Sequence, residues 1–157
     1  MNVRLAVIGA GHLGRIHTRL ARSLSDAALV GIVEPNDAVR NAVATEFETA
    51  GYMHHSEIIN QIDAAIVSAP TKHHYSITRQ LIDAGKHVLV EKPITTDVHE
   101  ADELIAAADE RGVTLAVGHV ERFNPALGAA LPHIRNPKYI EACRTSGFTF
   151  RSTDVGV

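Results

Sequence analysis

The sequence predicts a doubly wound α/β fold, a parallel sheet with helices on both faces. Short apolar runs of strand length alternate with stretches of about ten residues whose apolar positions recur every three or four, the pattern of strand–helix–strand crossovers. Each crossover is long enough to bring the chain back beside a parallel neighbour. The first crossover is entered through Gly9-Ala10-Gly11-His12-Leu13-Gly14, a Gly-x-Gly-x-x-Gly that ends an apolar run and opens a helical pattern.

Taken in order, residues 3–8 read as a short buried strand. In the turn after it, Gly9 suits the tight bend, Gly11 leaves room for a pyrophosphate against the backbone, and Gly14 lets the next helix lie close on the sheet. The N-terminus of that helix points unpaired N–H groups and the positive end of its dipole at such an anion. His12 and Leu13 fall inside this phosphate turn, and Leu13, Ile16, Leu20 and Leu24 recur at helical spacing as the expected packing face. Arg15, Thr18 and Arg19 either reach toward the phosphates or belong to a solvated helix face. His17 reads as a surface or helix-packing residue. Residues 29–33 form a second strand and deliver Glu34, twenty residues past Gly14, where a carboxylate accepts hydrogen bonds from the adenosine ribose. Strand, helix, strand and acid in this order predict a Rossmann dinucleotide site, with a structural turn in another α/β protein as the alternative. Glu34 repels a 2′-phosphate and Pro35-Asn36 put no arginine beside it, so NAD is expected over NADP.

Asn36 caps a second helix carrying Val39, Ala42, Val43 and Phe47, with Gly51 as its stop. Tyr52-Met53 reads as a short third strand, residues 56–60 as a brief helix and residues 64–67 as a buried fourth strand. Ala69-Pro70-Thr71 follows, and a helix runs through Tyr75, Thr78, Leu81 and Ile82 until Gly85. The fifth strand, residues 88–90, leads into Glu91-Lys92-Pro93. Asp97 and Glu100 form a cap pair for a helix closed by Gly112, and residues 114–117 are a sixth strand. Pro125, Pro132 and Pro137 then break the chain into short pieces, which sets a boundary between a dinucleotide-binding domain, 1–124, and a tail, 125–157. The tail is read as a linker and the first strands, residues 139–144 and 148–151, of a truncated second α+β domain. A two-stranded ribbon is marginal alone, so homo-oligomerisation through these strands is expected.

Composition narrows the partners. At 157 residues and 45% apolar, one good core fits. A net charge of −3 without a basic stripe argues against nucleic acid. Neither a membrane span nor a signal peptide is read, and a single cysteine, Cys143, forms no internal disulfide; the expected setting is cytoplasmic. The pairs His54-His55 and His73-His74 diverge and no ligand spacing joins them, so no metal is expected. There is no Gly-x-Ser-x-Gly nucleophile turn.

Ligands of such a sheet bind beyond the carboxyl ends of the strands, which gathers the glycine turn, residues 70–74, residues 91–93 and residues 119–125. Lys92, at a strand end between a glutamate and a proline, is the candidate to hydrogen-bond a substrate hydroxyl or exchange its proton; an ordinary lysine paired with a surface carboxylate is the alternative.

Gly9-x-Gly11-x-x-Gly14, Ala69-Pro70-Thr71-Lys72-His73-His74, Ala84-Gly85-Lys86-His87-Val88-Leu89-Val90-Glu91-Lys92-Pro93 and Arg122-Phe123-Asn124-Pro125 occur here in this order. With them the chain resembles the dinucleotide-binding half of the glucose-fructose oxidoreductase and inositol dehydrogenase family, Gfo/Idh/MocA. The Glu-Lys-Pro tripeptide is its most specific part. The resemblance implies that Lys92 is a catalytic or substrate-binding lysine, that Glu91 and Pro93 position it beside the cofactor, and that Pro70 and His74 flank the nicotinamide crevice. It also implies that Arg122 and Phe123 line that crevice, with His119 on the same segment as a substrate contact. The run Gly118-His119-Val120-Glu121-Arg122-Phe123-Asn124-Pro125 resembles most the branch that oxidises the 3-hydroxyl of UDP-N-acetylglucosamine. The implied function is NAD-dependent oxidation of a secondary hydroxyl on a sugar or nucleotide sugar. The family's second domain supplies an Asp and a His that this sequence lacks, so NAD binding without turnover is expected of the chain alone. A dinucleotide-binding regulatory module, or a truncated non-catalytic product, is the alternative.

Overall fold

In the computed structural model, which describes residues 2–141, 143 and 145, the strands are β1 (Val3–Ile8), β2 (Ala27–Val33), β3 (Ala50–Tyr52), β4 (Ala64–Val67), β5 (His87–Val90) and β6 (Leu115–Val117). They form one sheet in the order β3-β2-β1-β4-β5-β6, and every neighbouring pair is parallel. The order reverses between β1 and β4, which is where such a sheet opens a crevice. The helices are α1 (His12–Ser23), α2 (Asp37–Glu46), α3 (His74–Asp83), α4 (Val98–Arg111) and α5 (Pro125–Ala130).

Successive side chains of a strand point to opposite faces, and β1 shows both faces buried. Ala6 and Ile8 join a cluster with Ile58, Leu81, Ile82 and Leu104, whereas Val7 joins a second cluster with Ile32 and Val43. Helices α3 and α4 therefore cover one face and α2 the other, and the uninterrupted apolar run Leu5-Ala6-Val7-Ile8 that ends β1 is the signature of a strand covered twice. At the opposite end of the sheet, Arg4 clasps Asp63 with its amide and both sides of its guanidinium, at 2.6–3.0 Å.

Four expectations need correction. The packing face of α1 is Gly14, Thr18 and Ala21, not the leucine stripe: Leu13, Leu20 and Leu24 are 42%, 51% and 55% exposed. A helix that lies this close on a sheet has room only for small side chains, so the large ones turn outward. Thr18, fully buried, donates its hydroxyl to the Gly14 carbonyl at 2.7 Å and is not a phosphate ligand. Gly51 does not stop α2. That helix ends at Phe47, Glu48 takes φ +46°, and Gly51 lies within β3 opposite Ile32. The cap at α4 is Asp97 accepting from the His99 amide at 2.7 Å, while Glu100 faces Thr96 rather than completing a reciprocal pair.

The contacts divide the chain into one unit ending at Gly118 and another beginning at His119, six residues before the proline that the sequence marks. Val117 is the last strand residue, and Gly118 gives its amide to the Val90 carbonyl at 2.8 Å; after that bond the chain leaves the sheet. In the second unit Asn124 caps α5 by accepting from the Ala126 amide at 2.9 Å. Of the first strand expected in the tail, the described residues Tyr139, Ile140, Glu141 and Cys143 are in no ladder. The second, residues 148–151, lies outside the described residues. Among the described residues no helix is long and apolar enough to cross a membrane.

Candidate functional site

The glycine turn is built by close approach from two sides. Gly9 leaves β1 at φ +92°, with its amide on the Val33 carbonyl at 2.8 Å. A Cβ on Gly9 would stand 2.6 Å from the Ala69 nitrogen, and one on Gly14 would stand 1.8 Å from the Gly9 oxygen. Neither position has space for a methyl group. Ser68, at the end of β4, donates its hydroxyl to the same Gly9 oxygen at 2.9 Å, so the strand across the switch point pins the turn. Sequence reading missed Ser68, which carries no motif signal.

Gly11 is different. A Cβ there would meet nothing within 4 Å, so protein packing does not account for this glycine. It is the N-cap of α1, no side chain caps the helix, and no acid stands in the first turn. The first amides of α1 thus look onto open space with the helix dipole behind them, which fits a pyrophosphate. His12 and Leu13 sit exposed in that first turn.

Glu34 lies beside the turn at the end of β2. One carboxylate oxygen accepts from the Ala10 amide and the other from the Asn36 amide, each at 3.0 Å. Each oxygen keeps acceptor capacity for a further donor. The carboxylate is therefore fixed before any ribose arrives, and it bridges the glycine turn to the start of α2.

Across the switch point, Pro70 is exposed and begins a single turn, Thr71–His73, that leads into α3. His74 is 1% exposed, and its ring nitrogens face the Pro93 and Ala69 carbonyls, both at 2.8 Å. With both ring nitrogens on protein acceptors, His74 ties the loop after β4 to the loop after β5. Lys92 follows Glu91 just past β5, is joined to Pro93 by a cis peptide bond, and is exposed. Among the described residues it enters no salt bridge. Glu91 is 6% exposed; its carboxylate accepts from the Lys92 amide at 3.2 Å and meets His17 Nε2 at 2.8 Å. A Cβ on Gly118 would stand 3.0 Å from that carboxylate. Three elements thus close around Glu91: α1, the end of β5 and the end of β6. His17 was missed as a site residue, because no spacing rule connects positions so far apart.

The order β2-β1-β4-β5 brings Glu34, the glycine turn, Pro70, Glu91 and Lys92 to successive strand ends of one sheet edge. His119, Arg122 and Phe123 belong to the second unit, on and beside the turn Val120–Phe123. All three are exposed there, Phe123 to 84%.

Comparison with known proteins agrees with this geometry. The chain is 35% identical over 162 residues to the UDP-N-acetylglucosamine 3-dehydrogenase of Acidithiobacillus ferrooxidans, covering 100% of this chain and 50% of that protein. The chain thus spans about half the length of that curated relative. A solved structure of the enzyme, GnnA, superposes with a TM-score of 0.80 at 34% identity, covering 85% of this chain and 44% of the other. The structure of GenD2 from gentamicin A biosynthesis in complex with NAD gives a TM-score of 0.81 at 30% identity, with coverage of 84% and 38%. Residues 3–119 match the family described as the Gfo/Idh/MocA oxidoreductase family, NAD-binding Rossmann fold, and the chain belongs to that family.

Proposed function

We propose that this chain is the cofactor-binding part of an NAD-dependent dehydrogenase that oxidises a secondary hydroxyl of a sugar or nucleotide sugar, with UDP-N-acetylglucosamine the first substrate to try. The observation that carries the cofactor half is the uncapped, open first turn of α1 beside the pre-fixed carboxylate of Glu34. The α1 amides hold the pyrophosphate and Glu34 accepts from the ribose hydroxyls, which favours NAD over a cofactor with a 2′-phosphate. When bound, the nicotinamide accepts the hydride.

In this reading Lys92 hydrogen-bonds the reacting hydroxyl and takes part in moving its proton, while Glu91 fixes the backbone from which Lys92 projects. Pro70 and His74 shape the wall opposite, His74 by holding two loops together rather than by offering a free ring nitrogen. His119, Arg122 and Phe123 contribute substrate contacts, and Arg122 also contacts the cofactor. The likeness of the chain to a UDP-N-acetylglucosamine 3-dehydrogenase supports the choice of substrate.

The test is a titration with NAD and NADP followed by an assay. The unaltered chain is expected to bind NAD more tightly, and Glu34→Ala to weaken NAD while narrowing the preference. Tighter NADP binding by the unaltered chain would remove this role for Glu34. Joined to the part of the 3-dehydrogenase relative that it does not cover, the chain is expected to produce NADH from UDP-N-acetylglucosamine; activity on free sugars alone would redirect the substrate reading.

A further inference from the structure

No arginine adjoins Glu34 in sequence, yet a guanidinium stands behind its backbone. Arg40, in the first part of α2, folds back over the loop that leaves β2. Its Nη1 donates to the Glu34 carbonyl at 2.8 Å and to the Pro35 carbonyl at 3.4 Å, and its Nη2 donates to Asp37 Oδ1 at 2.5 Å. The Arg40 side chain is 14% exposed and that of Asp37 is 71% exposed. Its stem runs beside Gly51, where a Cβ would stand 2.8 Å from Arg40 Cγ. Both Nη1 and Nη2 of Arg40 are thus engaged by protein oxygens.

We propose that Arg40 is a specificity-determining residue, held back from the cofactor by Asp37, so that the preference for NAD rests on this restraint as well as on Glu34. The proposal rests on the reading of Glu34 as the ribose ligand. A 2′-phosphate brings close to two negative charges and needs two things at this corner: no carboxylate in its place, and a donor fork turned toward it. Guanidinium is the side chain best suited to the second task, because its planar N–H pairs meet phosphate oxygens bidentately. Replacing Glu34 meets only the first need. Asp37 still occupies Nη2 and adds a repelling carboxylate of its own. Asp37 is largely in solvent, so its removal costs little packing and frees Nη2, while Nη1 stays on the Glu34 and Pro35 carbonyls.

The experiment titrates NAD and NADP calorimetrically into the unaltered chain and into three variants: Glu34→Ser, Glu34→Ser with Asp37→Ala, and that pair with Arg40→Gln. Thermal melts of each establish that it is folded. Adding Asp37→Ala to Glu34→Ser is expected to tighten NADP about tenfold, the usual worth of a charge-assisted bond gained, and to leave NAD unchanged. Adding Arg40→Gln is expected to abolish that gain. A gain that survives Arg40→Gln is a general charge effect and overturns the proposal, as does an Asp37→Ala step that moves both nucleotides equally or neither. If the unaltered chain binds NAD and these steps fail, only the role of Arg40 falls; if it binds neither nucleotide, the reading of Glu34 falls with it.

Discussion

His17 Nε2 lies 2.8 Å from Glu91 Oε1, joining the second turn of α1 to the residue just before Lys92, with side-chain exposures of only 15% and 8%. The bond crosses 74 positions of sequence. It ties the helix that starts at the phosphate turn to the strand end that carries the candidate catalytic lysine.

A buried carboxylate deprived of a partner is costly, so His17→Ala is expected to destabilise the chain by about 1–3 kcal/mol. Glu91→Gln keeps the shape and removes the charge. The double variant should lose less than the sum of the two single losses, since the residues share one interaction. Urea unfolding of the four proteins measures this, and strict additivity would mean that the pair contributes nothing as a pair.

Two glycines three positions apart should respond in opposite ways. Gly14→Ala places a methyl group 1.8 Å from the Gly9 oxygen, so α1 must move and stability should fall by roughly 3 kcal/mol or more. Gly11→Ala meets no protein atom within 4 Å and should leave the melting temperature nearly unchanged while weakening NAD. Equal effects on folding would break the distinction between packing glycine and phosphate glycine.

Lys92 should matter to turnover and not to folding. In the chain joined to a complete second domain, Lys92→Met is expected to lower kcat by about a hundredfold, the ordinary loss for a group that handles a proton, with the Kd for NAD little changed. A variant that retains full kcat would return Lys92 to the role of a solvent-exposed surface cation.

Asp63 carries a predicted acid response. The Arg4 guanidinium, then the Arg4 amide, hold its carboxyl well below the usual carboxylate range. A folded-state value below the unfolded one means that the pair stabilises the fold above about pH 4. That contribution disappears as the pH falls from there through the folded value. Asp63→Asn should therefore flatten the stability profile on the acid side, as followed by melting temperature from pH 5 downward. The pair is exposed, so added salt should shrink the difference; an unchanged acid limb would remove Asp63 from the account.

Local chemistry made the fold class legible. The strand at residues 3–8, the cap at Asn36 and the strand at residues 64–67 are each written in a few adjacent residues, whose apolar spacing or hydrogen-bonding side chains act over one or two turns. Glu34 and the glycine turn were likewise readable, because a Rossmann crossover fixes their separation in sequence. Contacts between distant segments were not. The leucines of α1 carry a proper helical period, but whether that face meets the sheet is decided by how near the helix axis approaches, and Gly14 with Thr18 allows an approach that leaves no room for them. Ser68 under the glycine turn, His17 against Glu91 and His74 between two loops all depend on which strand lies beside which. The sequence alone determines the elements, their order and the dinucleotide turn. The tertiary structure decides which polar side chains are partnered, because a hydrogen bond is set by distances of about 3 Å in space and not by separation along the chain.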